Sequence, residues 1–141
     1  MRGVRSQMRI YYGEHQEPLI LDTARCLLEI KDKMNEFIRS PYSEYVIAAD
    51  SSPKEWPGLR ELIGIRILKG RGPLLASVSP NDYLHVTGST ENLSLFADLF
   101  KFEASAHDGD HHHIEEVVLR GGDISPNTCS PIIEICDEEE T

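Results

Sequence analysis

The stretch YLHVTGSTENL, residues 83–93, predicts a strand that runs directly into a helix. Residues 83–86 form the second strand of a predicted β-hairpin, with its first strand at 74–78 and a Pro-Asn-Asp turn at 80–82. Ser89 is a residue type that caps helices by accepting a hydrogen bond from a first-turn backbone N–H. Apolar residues then recur at helical spacing, which predicts a helix with one buried face. They are Leu93, Phe96, Ala97 and Phe100, with Leu99 beside them.

An earlier stretch has the same organisation. The sequence LILDT at 19–23 predicts a short apolar strand followed by two candidate N-cap residues. Apolar residues from Leu27 to Phe37 then follow helical spacing and predict an amphipathic helix of about four turns. This helix should end near Ser40-Pro41, because proline disfavours helical backbone in the residue before it.

The remaining strands complete two similar halves. They are predicted at 7–12, 45–49, 63–68, 111–119 and 132–135. Each half then has the order β-α-β-β, and the first strands of the two halves, at 19 and 84, are 65 residues apart. This order predicts an α+β fold: a mixed or antiparallel sheet with two helices packed on one face, in a ferredoxin-like two-layer sandwich. We expect residues 1–141 to form a single domain, with 137–141 as a frayed acidic tail.

Negative charge is concentrated in the second half of the chain. Residues 1–70 contain 11 Lys and Arg against 10 Asp and Glu, whereas residues 71–141 contain 3 against 14. Nucleic-acid binders need the opposite sign, because neutralising phosphates supplies much of their affinity. DNA and RNA are therefore disfavoured, and a basic protein or a cation is the better candidate partner. Acidity that serves only solubility is the alternative explanation.

The three cysteines favour a reducing compartment. Cys26, Cys129 and Cys136 are odd in number and scattered, so they indicate neither a disulfide framework nor a zinc knuckle. No apolar run approaches the roughly 20 residues of a membrane-spanning helix, and the first residues lack the apolar segment of a secretory signal. We expect a cytoplasmic protein with reduced thiols. Cys26 falls in the first turn of the first helix, where the helix dipole lowers a thiol pKa, although a small core residue is the simpler interpretation.

A histidine-rich segment is the most unusual local feature. Residues 107–116 contain four histidines and four carboxylates. On a strand, His111, His113 and Glu115 share one face, and with His107 they form a plausible ligand set for zinc or another first-row divalent metal. The alternative is that these side chains line a half-buried strand without a metal, since ligands normally come from separate elements held by supporting hydrogen bonds.

Enzymatic function is less favoured than binding. The sequence has no G-x-S-x-G elbow, no P-loop and no H-E-x-x-H motif, and the glycines at 70 and 72 lack the rest of a dinucleotide fingerprint. His85, on a predicted strand, and the histidines near Asp108 are candidate general bases, because a histidine beside a carboxylate can accept a proton. No nucleophile accompanies them in a recognisable setting.

The second half resembles a known family. The strand and helix start at 83–93, the GDHHHIE segment at 109–115 and the apolar strand SPIIEI at 130–135 follow one another in this order. The order is similar to that of the immunity protein 32 family of bacterial polymorphic toxin systems, and the resemblance covers about residues 62–136. After Glu115 the chain departs from that pattern, since Glu116 and two valines stand where the family more often has an aromatic residue. The resemblance implies an α+β protein that binds and neutralises a cognate toxin; no catalytic residues are established for such a family, so none are carried over.

Three functional hypotheses follow. The first is a non-enzymatic protein-binding domain, possibly of the immunity type, which binds a basic toxin through an acidic surface. Its candidate contact residues are Asp108, Asp110, Glu115, Glu116 and the loop residue Trp56, a side-chain type common at binding hot spots. The second is a metal-binding protein or metal-dependent enzyme that uses the ligand set described above. The third is a structural module that forms a homodimer through an exposed sheet edge.

Overall fold

The computed structural model describes residues 8–13, 17–50 and 60–137 of the chain. In this part the strands are β1 (Arg9–Tyr12), β2 (Leu19–Asp22), β3 (Glu44–Ala48), β4 (Arg60–Leu62), β5 (Gly64–Lys69), β6 (Leu75–Val78), β7 (Tyr83–Gly88), β8 (His111–His113) and β9 (Ile132–Ile135). The helices are α1 (Ala24–Arg39), α2 (Thr90–Asp98) and α3 (Glu116–Leu119). The predicted α+β class is confirmed. No helix of the described ranges is long and apolar enough to cross a membrane.

Both long helices begin and end for local reasons that the sequence contains. The side chain of Thr23 accepts a hydrogen bond from the backbone N–H of Cys26 at 3.1 Å, and Ser89 accepts one from Asn92 at 3.1 Å. The first helix ends at Arg39, and its C-cap Ser40 stands directly before the proline, as predicted. Each helix buries the apolar stripe expected from its spacing. For α1 the buried residues are Cys26, Leu27, Ile30, Met34 and Phe37.

The strands form two mixed sheets where the sequence predicted one. The five-stranded sheet has the order β4-β1-β2-β9-β8, and the four-stranded sheet has the order β3-β5-β7-β6. Each sheet contains one parallel pair, β2 with β9 and β5 with β7, and its other pairs are antiparallel. The strand predicted at 63–68 is β5, whereas β4, which precedes it and is separated from it by Ile63, was not predicted and joins the other sheet. A ferredoxin-like layout is therefore not confirmed. The helices α1 and α2 contact each other, and both contribute residues to one hydrophobic core.

The predicted strand at 111–119 is wrong beyond its third residue. It ends at His113, a turn follows, and α3 begins at Glu116. The buried positions after the strand are Ile114 and Val117, three residues apart, which is the spacing of a helical turn and not that of a strand. The backbone N–H of Val117 accordingly donates to the carbonyl of Ile114 at 3.0 Å. The alternation predicted for this segment therefore holds only within β8.

Trp56 and residues 138–141 of the tail lie outside the described residues, so these two predictions stay predictions.

Candidate functional site

The histidine-rich strand β8 is an edge strand of the five-stranded sheet. Irregular chain from Leu99 to Asp110 precedes it, and the turn leading to α3 follows it. We call residues 102–116, together with Glu134 on the neighbouring strand β9, the β8 surface. This surface contains four of the five residues that the sequence nominated for partner binding and all four nominated for a metal.

His112 is the inward member of the histidine triplet. Its ring stacks on Phe102 with a centroid distance of 4.2 Å and an interplanar angle of 2°. Its Nδ1 lies 2.8 Å from the carbonyl oxygen of Leu99. A carbonyl can only accept, so Nδ1 donates the hydrogen in this contact. The stack and the hydrogen bond together fix the irregular chain before β8 against the strand.

His111 and His113 lie on the outward face of β8 and are exposed. Their rings meet edge to face at a centroid distance of 4.9 Å. In the strand register His111 lies opposite Glu134 and His113 lies opposite Ile132. Because opposed residues of an antiparallel pair share a face, the Glu134 carboxylate belongs to the same surface as the two exposed imidazoles.

Two of the nominated carboxylates hold the backbone of this surface in place. The Oδ2 atom of Asp110 accepts a hydrogen bond from the backbone N–H of His107 at 3.1 Å and lies 3.2 Å from its Nδ1. The Oε2 atom of Glu116 accepts from the backbone N–H of His113 at 3.2 Å, while its Oε1 lies 3.6 Å from Arg120. These contacts order the loop before β8 and the turn after it.

The other two nominated carboxylates are exposed. Asp108 accepts a hydrogen bond from the backbone N–H of Asp137 at 2.8 Å, which connects the loop to the chain beyond β9. Glu115 is the residue before α3, and its side chain makes no capping hydrogen bond. Its position in a turn leaves the carboxylate directed to solvent rather than onto the strand face of His111 and His113.

The nominated metal ligands do not come together as a set. The turn after His113 removes Glu115 from the strand face, and the His107 ring lies against Asp110 instead. Within the ranges that the structure describes, which include all four nominated residues, no group of three or more His, Cys, Asp and Glu side chains is arranged to hold a metal ion.

A concave site of about 340 Å³ lies between the irregular chain and β8. The stacked rings of Phe102 and His112 contribute to its wall, and Glu103 and Asp110 contribute carboxylates. The remaining lining residues are Ser105, Ala106, Gly109 and His111. Phe102, Glu103 and Glu134 were missed by sequence reasoning, and no local pattern marks them, because they reach the site through an irregular loop and a strand pairing.

The electrostatics of the β8 surface are dominated by carboxylates. Glu103, Glu115 and Glu134 form no ion pair with any residue that the structure describes. Three cations, Lys31, Lys101 and Arg120, line a concavity together with Glu103, and of these Lys31 is paired with Asp98 and Arg120 with Glu116. Carboxylates that form no ion pair within the protein can be neutralised by a basic partner.

The candidate nucleophile Cys26 and the candidate base His85 lie outside the β8 surface. Burial raises the pKa of the Cys26 thiol despite its place in a helix first turn, and burial raises the pKa of Cys129 to about 11. Both thiols therefore stay protonated at neutral pH, and the small-core-residue interpretation of Cys26 is confirmed. His85 lies on the four-stranded sheet opposite Arg66 and Ser77, away from the β8 surface.

No protein-family model, curated protein or solved structure matches this chain.

Proposed function

We propose that this chain is a non-enzymatic, cytoplasmic protein-binding domain of the immunity type, which neutralises a basic toxin by binding it through the β8 surface. One observation carries the proposal: Glu103, Glu115 and Glu134, which belong to the segments before, after and beside the edge strand β8, form no ion pair with any described residue. Nucleic acid is not the proposed partner, because phosphates would be repelled by this surface.

The backbone of the surface is ordered before any partner arrives. Asp110 and Glu116 hold the two segments that flank β8, and His112 anchors the chain before the strand. Ordering flexible segments on binding costs affinity, so a surface that is already held in place loses less. This arrangement supports recognition by carboxylates that are presented on a backbone already held in place.

Charge makes a further contribution through association kinetics. Complementary charge accelerates the encounter of two proteins, and salt weakens the acceleration because it screens exposed charges. The proposal therefore implies association that slows as ionic strength rises. The resemblance of residues 62–136 to immunity protein 32 supports the same function, since this range includes the whole β8 surface.

A charge-location experiment tests the proposal. The β8 variant carries Glu103→Gln, Glu115→Gln and Glu134→Gln, and the matched control carries Glu17→Gln, Asp32→Asn and Glu36→Gln in the first half of the chain, where all three side chains are exposed. Both variants remove three negative charges, so they differ only in where the charge is lost. Each is used as bait in extract of the native host, and captured proteins are compared by mass spectrometry at low and high salt.

The expected result is a basic protein that wild type and the control capture at low salt, and that the β8 variant and high salt lose. Equal capture by both variants, equal loss in both, or no salt-sensitive basic protein captured by wild type would contradict the proposal.

A further inference from the structure

Apart from β4 in the first half and α3 in the second, the two halves of the chain share five elements in the same order. The first has β1, β2, α1, β3 and β5, and the second has β6, β7, α2, β8 and β9. Beyond β4, the five-stranded sheet is ordered β1-β2-β9-β8, and the four-stranded sheet is ordered β6-β7-β5-β3. Each sheet thus contains a hairpin from one half and the last two strands from the other half.

The strand register repeats at a constant offset. In the parallel pairs Ile20 lies opposite Ile133, and Val86 lies opposite Ile67. Val86 is 66 residues after Ile20, and Ile133 is 66 residues after Ile67. The same offset relates the three described residue pairs of the β1–β2 hairpin to three pairs of the β6–β7 hairpin. Corresponding strands therefore match in register as well as in order.

Hydrogen bonds beyond the strand ends repeat too. The backbone N–H of Gly70 donates to the carbonyl of Gly88 at 2.8 Å, and the N–H of Cys136, 66 residues later, donates to the carbonyl of Asp22, 66 residues earlier, also at 2.8 Å. The helix caps Thr23 and Ser89 are again 66 residues apart. A shared fold class would not require these contacts to coincide residue by residue.

We infer that the chain is two copies of one ββαββ unit, residues 8–70 and 74–136, and that the surface at which they meet fits a second copy of the unit. Taken alone, each unit would have two two-stranded ribbons connected by a helix, and such ribbons are marginally stable in water. The parallel pairs β2–β9 and β5–β7 join the ribbons of one unit to those of the other. The interface is therefore an exchange of strand edges, of the kind two separate chains would form as a homodimer.

The relation between the units explains where the candidate site arose. In strand register, His112 of β8 corresponds to Tyr45 of β3, since their partners Ile133 and Ile67 are equivalent. Tyr45 stacks on Phe37 at 5.4 Å, much as His112 stacks on the aromatic residue before β8. However, α1 has 16 residues and α2 has 9, so the second unit replaces the last turns of the helix with irregular chain.

A lysine marks a second difference at the same place. The Lys69 ammonium lies 4.7 Å from the ring centroid of Phe37 and donates to the carbonyl of Ser40. The corresponding residue of the second unit is Ile135, which has no charge. The concave site lined by Phe102 and His112 is thus formed where the second unit has diverged from the first.

The inferred duplication predicts that the end of β9 lies as close to the start of β1 as the end of β5 lies to the start of β6. The end of β9 and the start of β1 flank β2, just as the end of β5 and the start of β6 flank β7. Two strand spacings, roughly 9.5 Å, separate the ends in each case. Five residues join β5 to β6, so residues 136–141 and 1–8 are ample to join β9 to β1 at about 3.3 Å per residue.

A circular permutant tests the inference in the whole chain. Residue 141 is fused to residue 1, and new ends are opened between Gly70 and Arg71. We expect cooperative urea unfolding with the wild-type m-value, because the same surface is buried. A second permutant with the same fusion is opened between Pro80 and Asn81, within the β6–β7 hairpin of one unit. The urea midpoint of this second permutant should be lower than that of the first, because the new ends interrupt one unit instead of lying between the two units.

Failure of the first permutant to fold, or an m-value of about half that of wild type, would overturn the inference. Equal midpoints for the two permutants would also overturn it, because residues 70 and 71 would then be no special boundary.

A nicked protein provides a second measurement that does not depend on refolding a permutant. A protease site placed between Gly70 and Arg71 of the linear chain is cut after folding. We expect the halves to remain a one-to-one complex in size-exclusion chromatography and to reassociate after dilution from urea, with a midpoint that rises with concentration. Separation of the halves after cutting, or recovery independent of concentration, would contradict a unit–unit interface.

Discussion

Replacing His112 by alanine should destabilise the protein by about 1–3 kcal/mol. The substitution removes a parallel ring stack on Phe102 at 4.2 Å, and aromatic pairs contribute about 0.5–1.5 kcal/mol beyond buried area. It also removes a half-buried hydrogen bond to the carbonyl of Leu99, with a net contribution of about 0.5–1.5 kcal/mol. The two contributions act on one side chain, so their sum is the expected loss in the free energy of unfolding.

Urea denaturation of three variants separates these contributions. His111→Ala is the matched control, because its ring is exposed; its edge-to-face contact with His113 and its 3.2 Å contact with the carbonyl oxygen of Gly109 are solvated, so its cost should be smaller than that of His112→Ala. His112→Phe retains the ring and loses the hydrogen bond, so its free energy of unfolding should fall between wild type and His112→Ala. If His112→Ala and His111→Ala have the same free energy of unfolding, the stack does not anchor the chain before β8, and the reasoning is refuted.

Three further outcomes are expected. Thr23→Ala and Ser89→Ala should each lower the free energy of unfolding by about 1 kcal/mol, as measured by urea denaturation, because each removes the side-chain acceptor of a helix cap. If the losses for the two variants differ more than threefold, the two caps are not equivalent. Cys129 should react slowly with iodoacetamide at neutral pH, as followed by peptide mass spectrometry, because burial raises its pKa to about 11, and rapid labelling of the native protein would contradict that burial. Since the folded state favours the protonated thiol, the stability that this group contributes is lost as the pH rises above the ordinary pKa of 9.0. Untagged protein purified without metal resin should keep its melting temperature in a chelator, because no described side chains are grouped as a metal site, whereas a clear drop in Tm would show that a metal is held.

Local patterns predicted the two long helices, α1 and α2, since both depend on residues near in sequence, but they did not predict α3. Thr23 and Ser89 are cap residues directly before apolar residues at helical spacing, and both caps are present in the structure. The sheets could not be predicted in this way. Ile20 and Ile133 pair across most of the chain, and no local signal distinguishes that pairing from a single sheet built within each half.

The candidate site was predicted only in part, for the same reason. The carboxylates and histidines of residues 107–116 were visible by composition, and their strand alternation held for His111 and His113. Burial of Ile114 and Val117 accompanies a helical turn after His113, so Glu115 does not lie on the strand face of the proposed ligand set. Glu134 joins the surface through strand pairing, so its contribution became visible only in the structure.

The affinity of the captured basic partner for the two charge variants tests the proposed function most directly. Isothermal titration calorimetry at low salt gives Kd for wild type, the β8 variant and the matched control. The β8 variant should bind about tenfold or more weakly than the control, because three carboxylates at the contact surface are lost instead of three elsewhere. Equal Kd values for the two variants would show that total charge, and not the β8 surface, governs binding, and would contradict the proposed function.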